Sequence, residues 1–178
     1  MRVHRHFLSK KDTKEINSYV EKTFPLIFQE YFKDVKTIEV AKIDYNDKEY
    51  TIYILRGRPI LAKIDNEVLP LMTTIMELYE KYGFSNLIKY FKYAVVDEGA
   101  LKPILRGADI MAPGIVENSE FQEKDMIIVF VRVKENNIPI AIGKALKDSK
   151  YMTITKKGKI IKNIHRVKDK LWEISTKL

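Results

Sequence analysis

Cysteine is absent from the 178-residue chain, which excludes disulfides, thiol nucleophiles and cysteine-ligated zinc. Histidine is nearly as scarce: His4, His6 and His165 are the only three. His4 and His6 would share one face of a solvated terminal strand, but the arginines beside them repel a cation, and His165 suits a structural hydrogen bond better than catalysis. Glycine and proline number only seven and six, so no flexible low-complexity linker is present. Also missing are a dinucleotide fingerprint, a Walker-type phosphate loop and a Gly-x-Ser-x-Gly elbow. Asp44, Asp47 and the carboxylates of residues 117–125 stand at turn spacings without a partner group. These absences predict a protein with no catalytic residues, no cofactor and no metal site. No apolar run approaches the ~20 residues that span a bilayer, and MRVHRHFLSKK lacks the apolar centre of a secretion signal. A cytoplasmic protein without a membrane partner is expected.

Positive charge is plentiful and unevenly placed. Residues 1–91 hold 15 Lys/Arg against 13 Asp/Glu, whereas residues 92–178 hold 17 against 11. Residues 144–178 alone carry 11 against 3, a surplus equal to the net charge of +8 of the whole chain. Such localisation points to nucleic acid, to a solvated lysine-rich face or to an anionic membrane surface.

Hydrophobic periodicity predicts two parts of different character. KKDTKEINSYVEKTF places Ile16, Tyr19, Val20 and Phe24 on one helical stripe that Asp12 can cap, and Pro25 suits the first turn of a second short helix. TIEVAKID, EYTIYILRG and RPILAKID read as strands, the last two joined by a hairpin at Arg56-Gly57-Arg58. LPLMTTIMELYEKYG is a helix that Gly83 ends. Beyond it, AVVDEGALKPILRG reads as a strand followed by a short helix with Leu101, Ile104 and Leu105 inward. ADIMAPGIV, MIIVFVRV, IPIAIGKAL, YMTITKKG, KIIKNIHRV and LWEIS read as six strands of a small β-barrel. The boundary falls near residues 90–93, giving an α+β chain of two domains, 1–91 and 92–178.

LRGADIMAPGI, residues 105–115, interrupts an apolar segment with two glycines, a proline, an arginine and an aspartate, which predicts sharp turns on both sides of a brief strand. The longer stretch VDEGALKPILRGADIMAPGI resembles the opening strand, helix and second strand of the PUA domain, the RNA-binding barrel named after pseudouridine synthases and archaeosine transglycosylases. IGKAL and the GKIIKNIHRVKDKLWEIS ending fit its later strands. The first half, with ILRGRPILAKID and LPLMTTIMELYEKYG, resembles the domain preceding PUA in the malignant T-cell amplified sequence proteins and their archaeal relatives.

The resemblance implies an N-terminal α/β pre-PUA domain followed by a C-terminal PUA barrel, in a noncatalytic RNA-binding protein of translation. Its implied partners are RNA, either tRNA or rRNA, the small ribosomal subunit, and a partner protein of the kind the eukaryotic members use. Its implied task is handling the tRNA acceptor end in initiation or recycling. An accessory specificity subunit of a tRNA- or rRNA-modification enzyme and a protein-interaction adaptor remain alternatives. By the same resemblance, Arg106-Gly107-Ala108-Asp109 would bring small residues and backbone amides to RNA, and Met111, Pro113 and Gly114 would form the strand and its exit. Lys102 and Arg106 share a helix face for successive phosphates, and Lys144 and Lys147 would border the groove.

Overall fold

The computed structural model describes residues 2–178 and divides the chain into two compact units, one comprising residues up to Thr74 with Ser175–Leu178, the other Ile75–Ile174. The first unit is built on an antiparallel sheet whose five strands lie in chain order: β1 Arg2–Phe7, β2 Glu39–Tyr45, β3 Lys48–Leu55, β4 Arg58–Ile64 and β5 Glu67–Pro70. Helix α1, Lys10–Thr23, follows β1, and α2, Pro25–Ile27, runs on into a π-helical turn at Phe28–Phe32. The cap of α1 is Ser9 rather than Asp12. Ser9 Oγ accepts the Asp12 N–H at 3.0 Å and donates to its carboxylate at 2.7 Å, because the helix begins a turn earlier than the apolar stripe does. Pro25 opens α2 as expected, and Leu26, Ile27 and Phe32 are buried. The expected hairpin between β3 and β4 turns on Arg56 and Gly57, both at positive φ. All six residues of β1 are exposed, His4 and His6 among them. The short strand β5 was not foreseen.

Helix α3, Met72–Tyr82, carries Ile75 and Leu78 buried and ends at Gly83, whose N–H bonds Tyr79 O at 2.8 Å. The second unit continues with α4 Phe84–Leu87, β6 Tyr93–Val96, a 3-10 turn at Glu98–Ala100, α5 Leu101–Leu105, β7 Ile110–Met111, a 3-10 turn at Ala112–Gly114 and β8 Ile115–Asn118. Strands β9 Met126–Val133 and β10 Asn136–Ala145, helix α6 Tyr151–Ile154, strand β11 Lys159–Arg166 and helix α7 Lys170–Ser175 follow. Its six strands are ordered β7-β11-β10-β9-β6-β8, with β6 and β9 parallel and the other pairs antiparallel.

Strands β7 and β8 occupy opposite edges of that sheet, yet only the three residues Ala112–Gly114 separate them in the chain. The four Cα steps from Met111 to Ile115 reach about 14 Å at most, well short of the width of six flat strands. The sheet must therefore curl until its edges meet, as a small barrel does. Ala94, Val96, Ile104, Ile110, Phe121, Ile127, Val129 and Ile161 belong to its buried core. On β9 the intervening Phe130 meets Phe84 of α4 edge to face at 4.9 Å. A bulge at Gly143 lets β10 and β11 approach so closely that a Cβ there would lie 2.3 Å from Ile161 Cγ2.

Several expectations for this unit need correction. ADIMAPGIV is two strands divided by a turn, because Pro113 and Gly114 fall where the chain crosses between edges. YMTI is a single helical turn with Tyr151 and Met152 half-buried; its β-branched residues mimic a strand. LWEIS lies in α7, where Leu171, Ile174 and Ser175 are buried at helical spacing. Leu105 is 37% exposed instead of core, whereas Ile104 is buried in the barrel and the half-buried Leu101 packs against the same core.

His165 is fully buried and does make the structural hydrogen bond expected of it: Nδ1 lies 2.8 Å from Asp169 Oδ2. The same carboxylate accepts the backbone N–H groups of Arg166 and Trp172, both at 2.8 Å, and so caps α7. Burial by itself would raise the Asp169 pKa, but the His165 hydrogen bond and charge and the two N–H donors hold it below the usual carboxylate value. A depressed carboxylate pKa contributes stability that is present above the unfolded-state value and lost as pH falls through the folded value. Asp169→Asn is therefore expected to cost about 1–3 kcal/mol at pH 7 and progressively less as the wild-type carboxylate is protonated. Urea unfolding across an acid pH series measures both.

Candidate nucleic-acid interface

Helix α5 is five residues long, too short to persist alone, so its form depends on what closes its ends. At the entry, Asp97 Oδ1 accepts the Ala100 N–H at 3.1 Å, and the Asp97 N–H donates to Gly114 O at 2.9 Å. At the exit, Ala108 N–H reaches Pro103 O at 3.0 Å and Gly107 N–H reaches Ile104 O at 2.9 Å, the bond pair that stops a helix on a left-handed residue. Gly107 supplies that residue, with φ at 102°.

Strand β11 then holds the stop from outside. Asn163 Nδ2 donates to Ile104 O at 3.0 Å and to Ala108 O at 2.9 Å, while its backbone N–H donates to Asp109 Oδ1 at 3.0 Å. Asn163 Oδ1 is left buried without a partner, so both amide donors are committed to the loop. Arg166 Nε–H donates to Leu105 O at 2.9 Å, and Lys159 Nζ lies 3.3 Å from Asp109 Oδ2. One strand thus fixes every residue from Ile104 to Asp109 that offers it an acceptor.

Next to this loop opens a cleft of about 300 Å³. Ala100, Pro103, Ile104, Ala108, Ile110, Met111, Pro113 and Gly114 give it small or apolar walls, and Asp97 and Asp109 are its charged groups. Five of the residues expected from the sequence therefore line it: Ala108, Asp109, Met111, Pro113 and Gly114. Met111 is 44% exposed. Lys102, Arg106 and Gly107 are exposed on the adjoining α5 and its stop, and neither basic side chain forms an ion pair among the described residues. Lys144 and Lys147 are not in the lining. Lys144 stands opposite Lys162 across β10 and β11, and Lys147 Nζ sits 3.8 Å above the Tyr151 ring. Asp109, bonded to Asn163 and Lys159, shapes the loop and presents no spare charge.

Asp97, Asn163 and Arg166 were missed by the sequence reading. Asp97 carried a local signal, an aspartate three residues before Ala100 at a helix entry. Asn163 and Arg166 carried none, because their acceptors lie 55 to 61 positions earlier in the chain. Among the described residues no group of three His, Asp or Glu could hold a metal ion, and no helix is long and apolar enough to cross a membrane.

Comparison with known proteins agrees with this architecture. Residues 92–167 match the PUA domain, which defines the class of the second unit. A protein of Methanocaldococcus jannaschii is 38% identical over 169 residues, 94% of each chain. Translation machinery-associated protein 20 of Schizosaccharomyces pombe is 30% identical over 143 residues, 78% of this chain and 73% of its own. A crystal structure from Pyrococcus horikoshii OT3, 34% identical, covers 97% of this chain and 99% of its own with a TM-score of 0.77. The chain belongs to the PUA-domain family that includes translation machinery-associated protein 20.

The Asn163 ties predict a specific sensitivity. Asn163→Ala removes two donors at once and is expected to cost about 1–3 kcal/mol. Asn163→Asp, of the same shape, should cost more, since it turns an oxygen toward the Ile104 and Ala108 carbonyls. Urea denaturation ranks the two, and amide exchange at Gly107 and Ala108 reports release of the loop.

Proposed function

We propose that the protein is a noncatalytic RNA-binding protein of translation that receives the single-stranded acceptor end of tRNA in the cleft beside α5, in contact with the small ribosomal subunit. Residues 92–178 are the RNA-binding part in this reading and residues 1–91 the preceding α/β part. The observation that carries it is the cleft itself. Its walls are small or apolar residues, its volume suits one unstacked terminal group, and Lys102 and Arg106 stand beside it with uncommitted charge. An unstacked end exposes base faces to such walls and phosphates to such a rim, whereas a long duplex would need a broader surface. Membership in a family with a translation machinery-associated protein supports the setting. The surplus of positive charge in residues 144–178 supports a polyanionic partner.

Binding of intact tRNA is expected to exceed binding of tRNA trimmed of its terminal nucleotides. Log affinity should fall with log salt by about 0.7 per neutralised single-strand phosphate. Arg106→Ala should weaken intact tRNA binding about tenfold and leave trimmed tRNA nearly unchanged. Fluorescence anisotropy with both RNAs measures this, and equal affinity of the wild-type protein for the two would overturn terminal recognition. Gradient fractionation of ribosomes tests the setting: the protein should travel with small subunits.

A further inference from the structure

Arg166, the last residue of β11, is half-exposed and tethered at one point of its side chain. The Nε–H bond to Leu105 O fixes the guanidinium plane against the helix stop. Its terminal nitrogens, Nη1 and Nη2, find no acceptor among the described residues. The carboxylates around it are already engaged: Asp169 with His165 and the Arg166 and Trp172 N–H groups, Asp109 with Asn163 and Lys159. A planar fork held in position with its outer N–H groups unclaimed is suited to two parallel bonds with phosphate oxygens.

Gly107 determines whether the guanidinium can keep that position. A Cβ at position 107 would sit 3.2 Å from Nη2, 3.3 Å from Cζ and 3.5 Å from Nη1. These near-equal distances put such a Cβ over the guanidinium face, where it would press the group aside, and glycine leaves that face open. Position 107 thus ends α5 and keeps a window over the arginine.

We infer that the Arg166 guanidinium receives a backbone phosphate of the bound RNA on its Nη1/Nη2 edge, in the pocket whose face Gly107 leaves uncovered. This rests on the reading of the cleft as an RNA site and adds to it the residue that meets the phosphate. Arg106 is exposed on the rim with no ion pair to hold its side chain, whereas Arg166 is held in place before the ligand arrives, so less ordering is required on binding.

Arg166→Gln isolates the proposal. Gln Nε2 stands the same number of bonds from the backbone as Arg Nε, so the Leu105 tie can persist while the charge and the fork are lost. With a fluorescent tRNA carrying an intact 3′ end, the variant is expected to bind about tenfold more weakly, with a log–log salt slope shallower by about 0.7, the share of one phosphate. Gly107→Ala should also weaken binding, and the double variant should lose little more than Arg166→Gln alone. Wild-type affinity and salt slope in Arg166→Gln would overturn the role of Arg166 and leave the RNA reading standing; no tRNA binding by the wild-type protein would overturn both. Should the variant unfold, nitrogen-15 NMR of the wild-type side chain decides. The Arg166 Nη signals must shift and sharpen when the tRNA is added, and unchanged signals reject the contact.

Discussion

The amide of Asn163 bridges two carbonyls, that of Ile104 in a five-residue helix and that of Ala108 in the loop that ends it. So short a helix has no cooperative stability of its own. It exists because Ile104 is buried in the barrel on one side and β11 secures its carbonyls on the other. The cleft walls follow from that arrangement. Pro103, Ile104 and Ala108 come from the tethered helix and its stop, while Met111, Pro113 and Gly114 come from the strand and turn that the stop leads into. Rigid backbone on both sides leaves a ligand little to reorganise.

Charge in the second unit is divided by the same logic. Asp97, Asp109 and Asp169 all accept backbone N–H groups, so three of its carboxylates are used in shaping chain ends and loops. Of these, only Asp109 also faces a lysine, and that pair is exposed enough to be worth little to stability. These carboxylates keep their charge, and the positive field of the C-terminal part follows from the 17 Lys/Arg against 11 Asp/Glu of residues 92–178.

What could be read in advance was local. The hairpin at Arg56-Gly57, the glycine stop of α3, the first-turn proline of α2 and the turn-strand-turn character of residues 105–115 all depend on neighbours within a few positions. So does His165, whose partner is four residues on. Two kinds of feature escaped. One-turn helices such as Tyr151–Ile154 have too few residues for a period, and their threonine and isoleucine suit a strand equally well. The clamps from Asn163 and Arg166 join segments that only the folded barrel brings together, and no spacing rule connects an asparagine to a carbonyl 59 positions away. The PUA resemblance located the cleft, but it did not say which side chains hold it open.

The crossing at Ala112–Gly114 has one further consequence. Because β7 and β8 are the two edges of the curled sheet, this turn is the seam of the barrel, and Pro113 and Gly114 on the seam also face the cleft. An occupant of the cleft touches both the α5 stop and the seam, so it binds only the closed barrel. Its binding energy is then added to that of closure by mass action, rising with the logarithm of its free concentration over Kd. Occupied and empty protein should differ in how often the seam breathes, which makes the small barrel a clasp tightened by what it holds.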